Sequence, residues 1–362
     1  MPAVFPFRAV QFRSDSGDVS DLIAPPYDVL DAPAKARLTA KNRKNVVAID
    51  LPHTPAKELG PPGAYEGAAS LYRSWLAEGA LEQGGPAMFA YRQTTRTGST
   101  VSRRCGMACT VEVVPFGPRE GGGILPHEET FSGPKQDRFA LMKATRAQLS
   151  PIFGLHADES GNATKLLHGY MEQHKAEVRA EMGDGVLHEV WRLTDGQVLR
   201  AYQGAMAGED IFIADGHHRY GTALNYLHEL EGRGPVAPDH PARRCMMVLV
   251  GMSDPGLIIW PTHRVLGGMK DYTVEAFMAA AQGSFSFEPV AGGLSAVEAT
   301  LNSGPRGGAN RFGVFDYKTG RAYIATTRQA DPLIEHFPQK PAAWRGLDVA
   351  VIQYLIVECI CQ

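Results

Sequence analysis

Two strand-like runs, AMFAYRQTT and CGMACTVEVV, flank RTGST between residues 87 and 114. A chain that returns within so few residues makes an antiparallel pair, because a parallel pair needs a crossover of about a dozen residues or more. The same signature recurs in RFGVFDYKTGRAYIAT (311–326), and HEVWRLTDGQVLRAY (188–202) predicts another hairpin with its turn at Asp195 and Gly196. Helical spacing of apolar residues predicts helices over 64–81, 133–149, 163–182, 273–282, after Gly216 and at the C-terminus. Hairpin-linked strands with interspersed helices define an α+β fold on a mixed sheet and exclude a doubly wound parallel sheet. GxGxxG and GxxxxGK[ST] are absent, which removes the two commonest nucleotide signatures.

With 362 residues, the chain exceeds what one core usually holds, and two lobes are expected. In finer division, residues 1–85 form an N-terminal segment, 86–270 a core carrying the chemistry, and 271–362 a C-terminal α/β lobe. Thirty-six Lys and Arg against 39 Asp and Glu leave −3, so no global field draws the protein to nucleic acid or an anionic membrane. Neither is expected as a partner; the oligomeric state is open. Five cysteines and no secretory leader point to a cytoplasmic protein. Cys105 and Cys109 share one strand face, where small buried hydrophobes are the expectation over zinc ligands.

The stretch EDIFIADGHHRYGTALNYL (209–227) predicts a buried strand, a turn at Asp215 and Gly216, and a helix. His217, His218 and Arg219 then fall in its first turn. Unpaired N–H groups and roughly half a positive charge gather there, so the position attracts phosphate or carboxylate. Gly216 permits close backbone approach, and Arg219 adds a bidentate fork. Cations in a first turn oppose the helix dipole, which argues for a resident anion; the plainer role of Asp215 is a helix cap.

The loop LPHEETFSGP (125–134) sets His127 beside Glu128 and Glu129 ahead of a helix bearing Lys135, Arg138 and Arg146. Its carboxylates can serve as a base or hold Mg²⁺, or they can be solvated. A three-histidine zinc site from His127, His217 and His218 lacks the usual ligand spacing. The paired prolines of DLIAPPYDVLD stiffen a turn that presents Tyr27 and Asp28, and DPGLIIWPTHRVL offers His263 and Arg264.

Taken in order, APPYDV, PHEETFSGPKQDRFALMKATRAQLSPIF, ADGHHRY and DPGLIIWPTHR resemble the bacterial and archaeal domain-of-unknown-function family numbered ten-fifteen, over residues 5 to about 358. DGHHR also resembles the phosphate-binding turn of the ParB and sulfiredoxin superfamily, which includes nucleotide-dependent free-serine kinases; the likeness implies a similar element around residues 205–230. It implies Gly216, His217, His218 and Arg219 at phosphates and Asp215 at the metal or beside the acceptor hydroxyl; the superfamily's catalytic glutamate has no aligned position here. From their chemistry alone, Lys135, Arg138 and Arg146 are further phosphate-binding candidates, and Glu128 and His218 join Asp215 as candidate catalytic groups. Asp215 and Glu129 would hold Mg²⁺, with Tyr27, Asp28, His127, Tyr220, His263 and Arg264 at the substrate. The expected activity is a phosphotransferase using ATP or ADP on a small hydroxylated metabolite such as serine. A phosphate-ester hydrolase and a non-catalytic nucleotide-binding module are the alternatives. Relatives usually continue past LDVAVIQYLIVECIC into a lysine-containing aromatic segment, so the expectation is either a branch without that segment or a truncated sequence.

Overall fold

The computed structural model describes residues 3–13, 19–56, 58–98, 100–127, 132–259, 263–304 and 308–361. Its chain divides into two compact units, Met1–Ile258 and Ile259–Gln362.

The first unit is built on a nine-stranded sheet. Eight strands run in the order Ile124–Leu125, Ile211–Asp215, Ile152–His156, Arg244–Gly251, Thr100–Glu112, Met88–Thr97, Leu187–Leu193 and Val178–Glu181. The ninth, Val4–Phe5, pairs with the Thr100–Glu112 strand. Two neighbouring pairs are parallel, 124–125 with 211–212 and 152–156 with 247–251, and the others are antiparallel. The mixed sheet of an α+β fold is therefore present.

Register sets the core. Cys105, Met107, Cys109 and Val111 alternate onto one buried face, and Val111, Cys109 and Met107 lie opposite Cys245, Met247 and Leu249. Gly154 sits in the same layer because a side chain there would come within 2.8 Å of Leu249 and 3.0 Å of Ile211. Helices Asn162–Gln173, Gly196–Ala205 and His217–Arg233 add Leu167, Met171, Tyr202, Tyr220 and Leu227 to this cluster. Burial raises the Cys109 and Cys245 thiols above their ordinary range, so both pack as apolar groups, and Cys105 is buried in the same layer.

The hairpins of 88–112 and 311–327 form as expected. The one predicted at Asp195–Gly196 does not. The Asp195 side chain accepts from the Gln197 N–H at 2.7 Å and caps the Gly196–Ala205 helix, so turn chemistry serves a helix start instead. The helix expected over 163–182 ends at Gln173; Val178–Glu181 then pairs with the 187–193 strand and buries Ala180. Residues 1–85 are not a separate segment. Val4 pairs with Val111, and the Pro62–Ala77 helix packs Tyr65 and Ala68 against Leu141 of the Ser132–Thr145 helix.

The second unit holds a three-stranded antiparallel sheet, Phe285–Val290, Arg321–Thr327 and Arg311–Asp316, with helices Val274–Ala281 and Gly293–Ser303 and a helical C-terminal stretch. Among the described residues no helix is long and apolar enough to cross a membrane.

Candidate functional site

The strand Ile211–Asp215 buries Ile211 and Ile213 and then surfaces at Asp215, whose side chain is 54% exposed. Gly216 turns the chain with φ of +97°, and the His217–Arg233 helix follows at once. That left-handed angle favours glycine. A side chain would also lie 3.0 Å from the Arg219 guanidinium, which folds back over the turn.

Among the described residues no side chain caps this helix. Asp215 instead pairs with Arg219, whose guanidinium also donates to the Pro151 carbonyl. The finding alters the argument from the dipole. A cation in the first turn is offset by Asp215 itself, so no external anion is needed to explain it, and a ligand must share Arg219 with that carboxylate.

The stiff turn at Pro25 and Pro26 meets this strand end. Tyr27, Asp28, Pro134, Asp215, Gly216, His217, His218 and Arg219 together line one cleft of about 160 Å³. Two carboxylates, two imidazoles and a guanidinium converge on the first turn of the helix. Such a cleft can hold an anionic group at the helix end and a cation or polar acceptor beside the carboxylates.

Tyr27 is buried, and its ring lies 3.9 Å from the Arg138 guanidinium. Burial pushes its hydroxyl up to about 12, against the opposing pull of Arg138. Arg138 is itself 6% exposed; Nε donates to Asp137 Oδ2 at 2.8 Å and Nη1 to the Asp50 carbonyl at 2.7 Å. Nη2 approaches Asp137 Oδ2 at 2.7 Å, an ion-pair contact whose angle is not that of a hydrogen bond. Asp137 Oδ1 accepts from the Tyr65 hydroxyl and contacts His53 Nε2, both at 2.7 Å, while Ser150 donates to Asp50 at 2.5 Å. This network, absent from the sequence-based set apart from Arg138, fixes the floor beneath Tyr27. Apart from the adjacent Asp137 and Arg138, these contacts of the network join residues 72 to 100 positions apart, so no local motif could reveal it.

His127 lies edge-on to His217 with ring centres 4.5 Å apart. Its Nδ1 is 2.8 Å from the Ile213 carbonyl and its backbone N–H donates to His217 Nε2 at 3.3 Å. The carbonyl requires a proton on His127 Nδ1, and the incoming N–H requires a bare His217 Nε2. His217, 2% exposed, is thereby positioned beside the cleft with Nε2 turned to the His127 backbone.

Other expected site residues fall elsewhere. Tyr220 is a correction: it is fully buried, donating to the Val114 carbonyl at 2.7 Å and accepting from the Val114 N–H at 2.9 Å, so it belongs to the core and not to a substrate. Arg138 supports Tyr27 from below and does not line the cleft. The stem of Lys135 packs against Gly221 near the cleft rim, and Arg146 is exposed just past its helix with φ of +52°. His263 and Arg264 are exposed residues of the second unit. Glu128 and Glu129 lie outside the described residues.

No curated protein and no solved structure matches this chain. The family described as "Protein of unknown function (DUF1015)" matches residues 4–350, nearly the whole length. The chain belongs to the DUF1015 family.

Proposed function

We propose that the protein is a nucleotide-dependent phosphotransferase acting on a small hydroxylated metabolite, with free serine as the first acceptor to try. The observation that carries the reading is the single cleft shared by Tyr27 and Asp28 with Asp215, Gly216, His217, His218 and Arg219. Phosphoryl transfer needs charge neutralisation and in-line placement more than covalent help, and these side chains are of the required kinds. The likeness of DGHHR to the free-serine kinases points the same way over a short stretch.

In this reading the first-turn N–H groups and His218 contact the phosphates of ATP or ADP. Asp215 and Asp28 are oxygen ligands of the type Mg²⁺ accepts, with one or two carboxylates and phosphate oxygens completing its shell. These two residues would hold Mg²⁺, which when bound offsets phosphate charge. Asp215 pairs with Arg219 here, and a guanidinium freed from that pair would be able to take phosphate oxygens in a bidentate grip. Asp28 and the Tyr27 hydroxyl orient the acceptor. Asp215 is the candidate base within the described residues, and Glu128 is the candidate from the adjoining loop.

Arg219→Ala tests the scheme. The expected result is a roughly 30- to 100-fold loss of nucleotide affinity, the scale of a hydrogen bond to a charged group, in a protein that still folds. Unchanged affinity overturns the reading. Product analysis by phosphorus NMR, with ATP or ADP and a panel of hydroxy amino acids, separates transfer from hydrolysis and from binding without turnover.

A further inference from the structure

We infer that Cys105, His168 and Asp254 form a binding site for a divalent transition-metal ion of the zinc class. None of the three lines the cleft described above. One ligand atom from each lies within 4.8 Å of the other two.

Three elements supply the donors. Cys105 comes from the helix-covered face of the Thr100–Glu112 strand, His168 from the Asn162–Gln173 helix, and Asp254 from the turn after the Arg244–Gly251 strand. That turn is pinned. A side chain on Gly256 would strike the Arg103 carbonyl at 1.8 Å, and Ser102 donates to the Gly256 carbonyl at 2.9 Å. Asp254 Oδ1 in turn accepts from the Gly256 N–H at 2.9 Å, which leaves Oδ2 aimed at His168 Nε2, also 2.9 Å away. The carboxylate side chain is fully buried and the imidazole is 34% exposed.

A sulfur, an imidazole nitrogen and a carboxylate oxygen make a donor set suited to zinc and its neighbours rather than to calcium or magnesium. Metal–ligand bonds of about 2.0–2.3 Å in a tetrahedron separate ligand atoms by about 3.3–3.8 Å, so the 2.9 Å His168–Asp254 contact opens slightly while the sulfur, within 4.8 Å of both, completes the set. The exposed edge of His168 provides entry and leaves a fourth position for water. Binding replaces the thiol proton, which leaves to solvent, and the His168–Asp254 hydrogen bond; His168 then ligates through Nε2 with its proton on Nδ1. The simpler occupant of the same space is a His–Asp pair with a bystander thiol, and it predicts no stoichiometric metal.

The test uses the full chain with Cys359→Ser and Cys361→Ser, since those cysteines are the less buried ones and would take up metal themselves. Titration with Co²⁺ is expected to give one equivalent bound and a thiolate-to-cobalt charge-transfer absorption, both displaced by Zn²⁺. Cys105→Ser abolishes the absorption, and His168→Gln, at a partly exposed site, weakens binding at least tenfold while the metal-free protein keeps its circular dichroism and melting temperature. No stoichiometric uptake, an absorption without thiolate character, or equal affinity in His168→Gln overturns the inference.

Discussion

Asp137–Arg138 and Asp215–Arg219 are two carboxylate–guanidinium pairs with the same chemistry, and burial gives them different work. Asp137 is wholly buried and Arg138 nearly so, each hydrogen-bonded to further partners beneath Tyr27. Asp215 is half exposed on the cleft wall and pairs in an i, i+4 contact with Arg219, which is 13% exposed and also donates to the Pro151 carbonyl. Removing one member of a buried pair leaves an uncompensated charge in low dielectric, whereas a pair in contact with solvent exchanges partners at little cost. The first pair is framework; the second can be opened by a ligand.

The largest expected effect follows from that contrast. Asp137→Ala leaves Asp50 as the carboxylate partner of Arg138 and removes the acceptor for Tyr65, so denaturant unfolding should show a loss of about 3 kcal/mol. Asp215→Ala should cost below about 1 kcal/mol by the same measurement. Equal losses would erase the distinction. Gly216→Ala comes next: a left-handed non-glycine residue costs about 1–2 kcal/mol, and displacement of Arg219 should weaken nucleotide binding in the same variant. Tyr27→Phe keeps the ring over Arg138 and is expected to leave the melting temperature within about 1–2 °C while raising KM for the acceptor; a large loss of stability would assign the hydroxyl to the framework.

Histidine carries the comparison to pH. His156 is buried beside Leu155 on a central strand, and burial holds it below its ordinary range despite the nearby Asp158 and Glu209 carboxylates. Its unfolded form titrates near 6.5. Above that pH both states are neutral and the full stability is present. As pH falls below about 6.5 the unfolded state takes up the proton first, and stability is lost down to the folded value at no more than about 1.4 kcal/mol per pH unit. His156→Gln should flatten that slope in urea midpoints measured between about pH 5 and 7. An unchanged slope would move the acid sensitivity to another group, with the similarly depressed His188 next in line.

Much of the local architecture was legible. Alternation marked the 88–112 hairpin, and the apolar run before Asp215 with helical spacing after Gly216 marked the strand–turn–helix at the cleft. Ambiguity entered where one residue type serves two ends. Asp-Gly at 195–196 suits a hairpin turn and a helix start alike, and only the pairing of the preceding strand decides between them. Tyr220 was misassigned for a related reason: a tyrosine in a first helical turn faces the core or the ligand according to which side the sheet covers.

Alone, the residue order determined backbone preferences: the stiffness of APPYD, the left-handed turn at Gly216, and the two faces of the 100–112 strand. These depend on neighbours within a few positions, where steric limits and hydrophobic period act directly. Tertiary structure decided which of those features meet. Asp28 reaches Asp215 across some 190 positions, Arg138 settles under Tyr27, and Cys105, His168 and Asp254 gather from three elements. Such meetings are set by strand register and helix packing, which sum weak contacts over the whole core and leave no mark on any one segment.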